Sequence, residues 1–303
     1  MGRLDVDRLD DREADDLLNK LIQRRPLKEL ASAKDDRTGI TYLGEWIDAA
    51  QELVDNEGKI FGLETGIRAF DELSMGLKGG DLIVLAGQTS HGKSLMGVNI
   101  AYSLAIQGIP VMFTTLEMTK ARTTQRFMSI AKMQGKEPAG LPVIYQEETA
   151  LDYNDIGLLI AKAKKENAKL IIVDHLHFFP RGISGNTAME IGRITKHFKE
   201  VAVAHDIPVI LISHVNRLAD PKMRPGLNNL KESGYIEQDA DSVFFVWKDL
   251  SVDGDSSIME LYIAKSRNDG FPNGRKRFFK QDKFLLNEIG SAPAQPMYIP
   301  RDW

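Results

Sequence analysis

Residues 87–94 read Gly-Gln-Thr-Ser-His-Gly-Lys-Ser. Gly87, Gly92, Lys93 and Ser94 fill every fixed position of the pattern G-x-x-x-x-G-K-[ST]. The flanks decide what the pattern means. Asp81-Leu-Ile-Val-Leu-Ala86 is a short apolar run that reads as a buried strand, and Leu95 to Gln107 has helical spacing. Strand, glycine-rich turn, helix is the context of a phosphate-binding loop. The helix start offers unpaired N–H groups and the positive end of its dipole to an anion. Gly87 and Gly92 let the backbone curl round a phosphate chain, and Gln88, Thr89, Ser90, His91 and Leu95 complete the cradle. Lys93 reaches the β- and γ-phosphates, and the Ser94 hydroxyl offers Mg²⁺ a ligand. A chance turn with a surface lysine is the competing reading, and the flanking elements argue against it.

Outward from this loop, apolar strands alternate with helices. The spacing predicts strands at 82–86, 110–115, 169–173, 208–213, 242–247 and 259–265. It predicts helices at 94–107, 119–134, 153–167 and 187–205. Short Val/Ile-rich runs separated by helices indicate an α/β fold with a parallel sheet covered on both faces. Residues 276–289 alternate apolar and polar, which predicts a terminal hairpin turning near Gln281-Asp282. Residues 60–80 read as a glycine-rich loop. A separate amphipathic helix is expected over Leu43, Trp46, Ile47, Ala50, Leu53 and Val54, ending at Asn56-Glu-Gly58. Residues 1–36 are charge-dense with a narrow apolar stripe at Leu17, Leu18, Leu21 and Ile22. That stripe fits a helix packed on its own domain or one docked on a neighbouring subunit.

Three strands end in polar residues, and ligands of open α/β sheets sit outside the carboxyl ends of strands. Leu170-Ile-Ile-Val-Asp174 delivers a carboxylate suited to Mg²⁺ or its water, against a simple turn cap. Val111-Met-Phe-Thr-Thr-Leu-Glu117 delivers a second carboxylate. It is placed either to orient an attacking water in line with the γ-phosphate or to cap the helix from Thr119. Pro208-Val-Ile-Leu-Ile-Ser-His214 ends in a histidine that is either a phosphate sensor or a structural residue.

The stretch 216–234 is long, polar and basic, with Arg217, Lys222, Arg224 and Lys231. A loop of this length in a compact domain is usually functional. Its cations suit a phosphodiester backbone, or are simply solvated. Residues 178–185 form a second candidate loop at the same edge. Lys265-Ser-Arg267 ends a late strand, and its cations can complete a neighbour's nucleotide site as an arginine finger does.

Composition bounds the function. The 303 residues are 43% hydrophobic and 27% charged, with net charge −4 and no cysteine. Disulfides, thiolate metal sites and thiol catalysis are excluded, and any nucleic-acid surface is a local basic patch. The N-terminus shows no secretory apolar core. No apolar run reaches the ~18–20 residues of a membrane span. The expected location is the cytoplasm, or the host cytoplasm for a phage-encoded chain.

Gly87–Ser94, Thr115-Leu-Glu-Met118, Ile172-Val-Asp174, Ser213-His214 with Asn216-Arg217, Lys231–Asp241 and Ala264-Lys-Ser-Arg-Asn268 occur in this order. In that combination, roughly residues 58–287 resemble the motor domain of DnaB-type replicative helicases. They also resemble the helicase halves of phage primase–helicases and of the Twinkle type. The resemblance implies a RecA-like P-loop NTPase: a mostly parallel twisted sheet, helices on both faces, and a short helical N-terminal segment in front. It implies a homo-oligomeric ring, usually a hexamer, with ATP and Mg²⁺ between subunits and single-stranded DNA in the centre, translocating 5′ to 3′. Primase or a helicase loader are the implied further partners.

Residue by residue, the resemblance implies Glu117 as catalytic base, Lys93 and Ser94 at the phosphates and Mg²⁺, Asp174 on Mg²⁺ and His214 as γ-phosphate sensor. Lys265 and Arg267 act in trans, and Lys231, Glu232 and Gly234 meet DNA. His214 stands where DnaB relatives usually carry Gln, as in the phage enzymes, which points to a phage-like lineage. The expected domains are a linker segment at 1–58 with a docking helix at 9–24, a motor at 59–290 and a flexible tail at 291–303. The competing functions are a RecA- or KaiC-like DNA-binding ATPase switch without unwinding, and a non-motor replication scaffold or loader.

Overall fold

The computed structural model describes residues 47–56, 59–115, 118–145, 155–174, 187–215, 220, 222–230, 233–251, 254–267 and 274–289. The expected docking helix at 9–24, Glu117, the loop at 178–185, Arg217, Lys231, Glu232 and the tail at 291–303 lie outside these residues. The chain divides into two units, Met1–Glu57 and Gly58–Trp303. The first contributes one described helix, α1 (Ile47–Asp55), whose end is marked by Asn56 donating to the Glu52 carbonyl at 2.8 Å.

The second unit is built on β1 (Leu82–Gly87), whose six residues are all buried. It pairs in parallel with β5 (Val209–His214) on one side and β6 (Ser242–Trp247) on the other. β2 (Val111–Thr115), β3 (Val143–Tyr145) and β4 (Leu170–Asp174) extend the sheet, and β7 (Ile258–Ser266), β8 (Lys276–Asp282) and β9 (Leu285–Glu288) close it. The strand order is β3-β2-β4-β5-β1-β6-β7-β8-β9. From β3 to β6 all pairs are parallel, and from β6 to β9 all are antiparallel.

Alternation along β1 builds a core on each face. Leu82, Val84 and Ala86 pack with Ile156, Leu159 and Ile160 of α5 (Asp155–Lys165) and Ile194 and Phe198 of α6 (Thr187–His205). Ile83 and Leu85 face the other way, onto Phe70 of α2 (Arg68–Ser74), Met96 and Ile100 of α3 (Lys93–Ala105) and Ile130 of α4 (Lys120–Met133). A strand buried on both faces has no polar side to show, hence its unbroken apolar run. Gly97 lets α3 lie close to the sheet: a Cβ there would stand 2.8 Å from Ile212 Cδ1.

The α/β expectation holds, with local differences. The span 60–80 contains α2, nucleated where the Asp71 carboxylate accepts from Thr65 N and Oγ1 at 2.8 and 2.7 Å and from Gly66 N at 2.9 Å. The late strand β7 runs antiparallel to β6. The terminal hairpin turns at Lys283-Phe284 rather than at Gln281-Asp282, because Lys283 takes the left-handed conformation (φ 51°) and Asp282 still pairs with Leu285. The polar stretch before β6 folds into a 3₁₀ turn (Leu227–Asn229) and a short helix, α7 (Ser233–Asp239). No helix among the described residues is long and apolar enough to cross a membrane.

Candidate functional site

The phosphate loop leaves β1 at Gly87 and enters α3 at Lys93. Gly87 abuts β6 so closely that a Cβ would stand 2.5 Å from the Val246 carbonyl oxygen. The turn bends through Ser90 (φ 69°) and Gly92 (φ 99°). Lys93 is 5% exposed, and its Nζ donates to the Gln88 carbonyl at 2.9 Å across the loop. That bond folds the ammonium over the loop, where it can pass to a phosphate oxygen.

Parallel register aligns the strand ends that flank the loop. Gly87 is level with His214, Asp174 with Ile212, and Thr115 with Asp174. Ser94 Oγ donates to Asp174 Oδ1 at 3.0 Å, and Asp174 is fully buried. A hydroxyl and a carboxylate side by side at the mouth of a phosphate loop are hard oxygen donors. They suit a small divalent cation that takes its other ligands from phosphate and water. The described residues on either side of Leu116-Glu117 are joined, Met118 N donating to Thr115 Oγ1 at 3.1 Å.

A cavity of about 420 Å³ opens over the loop. Thr89, Ser90, Gly92, Lys93, Ser94, Leu95 and His214, each proposed from the sequence, line it. So do Met118, Arg122, Arg126, Gln281 and Phe284, which the sequence reading missed. Arg126 lies over the Phe284 ring, 5.7 Å from its centre. Asn99 of α3 ties that ring's hairpin down, donating to the Phe284 carbonyl at 2.9 Å and accepting from Leu286 N at 3.0 Å. The cavity thus offers a cation and amides of the loop, which suit phosphate, and an arginine over an aromatic face, which suit a planar ring.

His91 is 4% exposed, and its Nδ1 accepts from the backbone amide of Lys248 at 3.0 Å. Burial, then the nearby charges of Lys93 and Lys248, lower its pKa to about 4. The ring is therefore neutral at physiological pH, with its proton on Nε2. Lys248 is itself buried, which lowers its pKa, and its Nζ donates to the Ser256 carbonyl at 2.9 Å and to Gln281.

Lys265 and Arg267 lie at the other end of the sheet. Because β7 is antiparallel, Lys265 pairs with Val243, Ser266 with Ser242, and Ser242 is level with Ile83 near the start of β1. The phosphate loop leaves from Gly87 at the finish of β1, four residues on and about 13 Å away at about 3.3 Å per residue. Burial, then the neighbouring Arg267 charge, lower the Lys265 pKa.

The basic stretch is partly anchored. Arg224 donates to both carboxylate oxygens of the buried Glu260 at 2.7–2.9 Å, with its guanidinium 4.4 Å from the centre of the Trp247 ring. Lys222 is exposed, and so is Gly234 at the start of α7.

A mostly parallel sheet sandwiched between helices, with a phosphate loop and a paired hydroxyl and carboxylate at its strand ends, defines a RecA-like P-loop fold. The chain belongs to the DnaB-like helicase C-terminal domain family, whose model matches residues 62–137 and 130–284. It is 30% identical over 292 residues to the replicative DNA helicase DnaB of Pasteurella multocida, covering 85% of this chain and 62% of that protein. It is 27% identical over 305 residues to the DnaB of Geobacillus stearothermophilus, covering 91% and 66%. Its fold matches a solved DnaB-like replicative helicase, described with its interactions with primase, at a TM-score of 0.69 and 21% identity. That match covers 91% of this chain and 75% of the other. The chain thus spans less than two thirds of the length of these curated relatives.

Proposed function

We propose that this chain is the motor of a replicative DNA helicase, hydrolysing ATP with Mg²⁺ between neighbouring copies of itself. The copies form a ring, hexameric by family likeness, that moves 5′ to 3′ along single-stranded DNA and unwinds duplex. The observation that carries this reading is the separation of its two cation sets. Lys93 lies at one end of β1, and Lys265 and Arg267 lie near the other. A phosphate held at the loop is out of their reach, so they serve the nucleotide of the next copy.

In this reading residues 59–290 are the motor, 1–58 a linker with a docking helix at 9–24, and 291–303 a tail. Ser94 and Asp174 hold Mg²⁺, which neutralises phosphate charge when bound. Gly87 to Leu95 cradle the phosphates, and Lys93 follows the γ-phosphate from its contact with Gln88. Glu117 accepts a proton from the attacking water, and His214 touches the γ-phosphate from the adjacent strand. Arg126 and Phe284 stack on the base. Arg217, Lys222, Lys231, Glu232 and Gly234 form the DNA-facing surface, with Arg224 pinning the loop that carries it to the sheet. Primase or a loader is the expected further partner, and the cytoplasm the expected location.

ATP hydrolysis measured with and without single-stranded DNA, over a range of protein concentrations, tests the reading. A motor with shared sites is stimulated by DNA and rises steeply with concentration, and Glu117→Gln binds nucleotide without turning it over. Hydrolysis indifferent to both DNA and concentration means a self-contained switch ATPase and overturns the proposal.

A further inference from the structure

The two cations at the far end of the sheet are held by α7. Lys265 Nζ donates to the carbonyls of Glu237 and, at 2.7 Å, Ala240. Arg267 donates through Nη2 to the Gln238 carbonyl and through Nη1 to Asp241 Oδ1 at 3.2 Å. Glu237 and Gln238 lie in the last turn of α7, and Ala240 and Asp241 follow it. Carbonyls at a helix end have no intrahelical partner, and cations there cap them. α7 follows directly on Lys231 and Glu232 in the chain. The proposed DNA segment therefore adjoins the start of this seven-residue helix, and the proposed finger pair caps its end.

Asp241 is the fixed point of the arrangement. It is 3% exposed, and its Oδ2 accepts from Leu82 N at 2.8 Å and from Lys199 Nζ at 2.6 Å. Its own amide donates to the Leu82 carbonyl at 2.8 Å. These bonds tie it to β1 and α6, independently of α7. The Arg267 side chain, by contrast, is 46% exposed. Its bond to Asp241 is longer than the ~2.7–2.9 Å usual between such charges, whereas a phosphate offers the guanidinium two short parallel bonds.

We propose that Asp241 is a positioning residue for Arg267, and that the end of α7 and the phosphate of an adjacent copy's nucleotide compete for Lys265 and Arg267. Turning the cations outward to phosphate uncaps α7. A shift of α7 under DNA changes how readily they leave. DNA and the neighbour's nucleotide are coupled through this one helix, reciprocally as linkage requires. The inference rests on the trans assignment of the finger pair made above.

The test uses the full chain carrying Asp241→Asn together with Lys199→Gln. Removing both halves of the buried pair leaves no stranded charge, and Asn keeps an acceptor for the Leu82 amide. Arg267→Ala is measured in parallel. The readouts are affinity for a fluorescent ATP analogue and turnover at saturating ATP, with and without an oligothymidylate. Arg267→Ala should cut turnover about 10²-fold or more and leave nucleotide affinity intact. The double variant should also keep nucleotide affinity, while its ratio of DNA-stimulated to basal turnover falls about fivefold or more.

Wild-type stimulation in the double variant, with Arg267→Ala inactive, overturns the coupling and leaves the trans role standing. Loss of nucleotide affinity in the double variant reduces Asp241 to a structural residue and likewise overturns it. Normal turnover by Arg267→Ala removes the trans role and the inference with it. If the double variant does not fold, Arg267→Lys carries the test. It keeps the charge but cannot span Gln238 and Asp241 together, so undiminished DNA stimulation there overturns the proposal.

Discussion

The backbone amide of Lys248 donates to Nδ1 of His91 at 3.0 Å, so a strand end 157 residues away reads the protonation state of the phosphate loop. Protonating Nδ1 would break that bond beside two lysines. With a pKa of about 4 in the fold, His91 binds fewer protons than in the unfolded chain between pH 4 and its ordinary value near 6.5. Stability from this residue is therefore complete above that window and is lost as pH falls through it. Asp81 works in the opposite sense. Burial, then the Asp241 charge, raise it to about 6, so its contribution falls as pH rises from its ordinary value toward 6. The two slopes oppose each other between pH 4 and 6. His91→Asn keeps an acceptor for the Lys248 amide and removes the titration. Relative to wild type, its melting temperature should climb steadily as pH is lowered from 7 to 4, and a constant offset would contradict this.

The Ser94–Asp174 contact predicts a metal phenotype separable from binding. Ser94→Ala should raise the Mg²⁺ concentration for half-maximal hydrolysis about tenfold or more. Lys93→Ala should abolish nucleotide binding at any Mg²⁺ concentration. A Mg²⁺ titration of ATP turnover, beside a fluorescent-nucleotide titration, reads both.

In the same cavity, Phe284→Ala should weaken ATP binding by about five- to thirtyfold, the value of roughly 1–2 kcal/mol of lost stacking. Turnover at saturating ATP should hold, because the ring touches no reacting atom. Inorganic tripolyphosphate, which has no base, should compete equally well against both proteins.

Arg224→Ala leaves Glu260, 2% exposed, with the Lys276 ammonium at 3.9 Å as its remaining cation among the described residues. Stranding a buried carboxylate is costly. Since Arg224 is itself half exposed, the loss should be about 1–3 kcal/mol. Urea unfolding measures it. Arg224→Ala with Glu260→Gln should recover most of it, and Lys222→Ala should change stability little.

What the sequence makes legible follows from how locally each feature is encoded. β1, β2, β4 and β5 read as apolar runs because both faces are buried, and the phosphate loop is eight contiguous residues. Asp174 and His214 were visible because each closes such a run. The rest of the cavity lining was hidden. Arg126, Gln281 and Phe284 are single residues from segments far apart in the chain, brought together by the fold. β3 is three half-buried residues with no periodicity to find. The anchoring of Arg224 depends on Glu260, 36 residues on, and a basic stretch does not announce which of its cations is already spoken for.

The reversal of direction at β7 has an arithmetic consequence. Under the trans assignment, every copy carries a pocket at one end of its sheet and the complement for another copy's pocket at the other. Such a contact is heterologous, so copies add head to tail. An open row always has one pocket fewer in working order than it has copies, and a lone copy has none. Only a closed circle makes the two numbers equal, which gives a circle a catalytic advantage over a filament of the same chains.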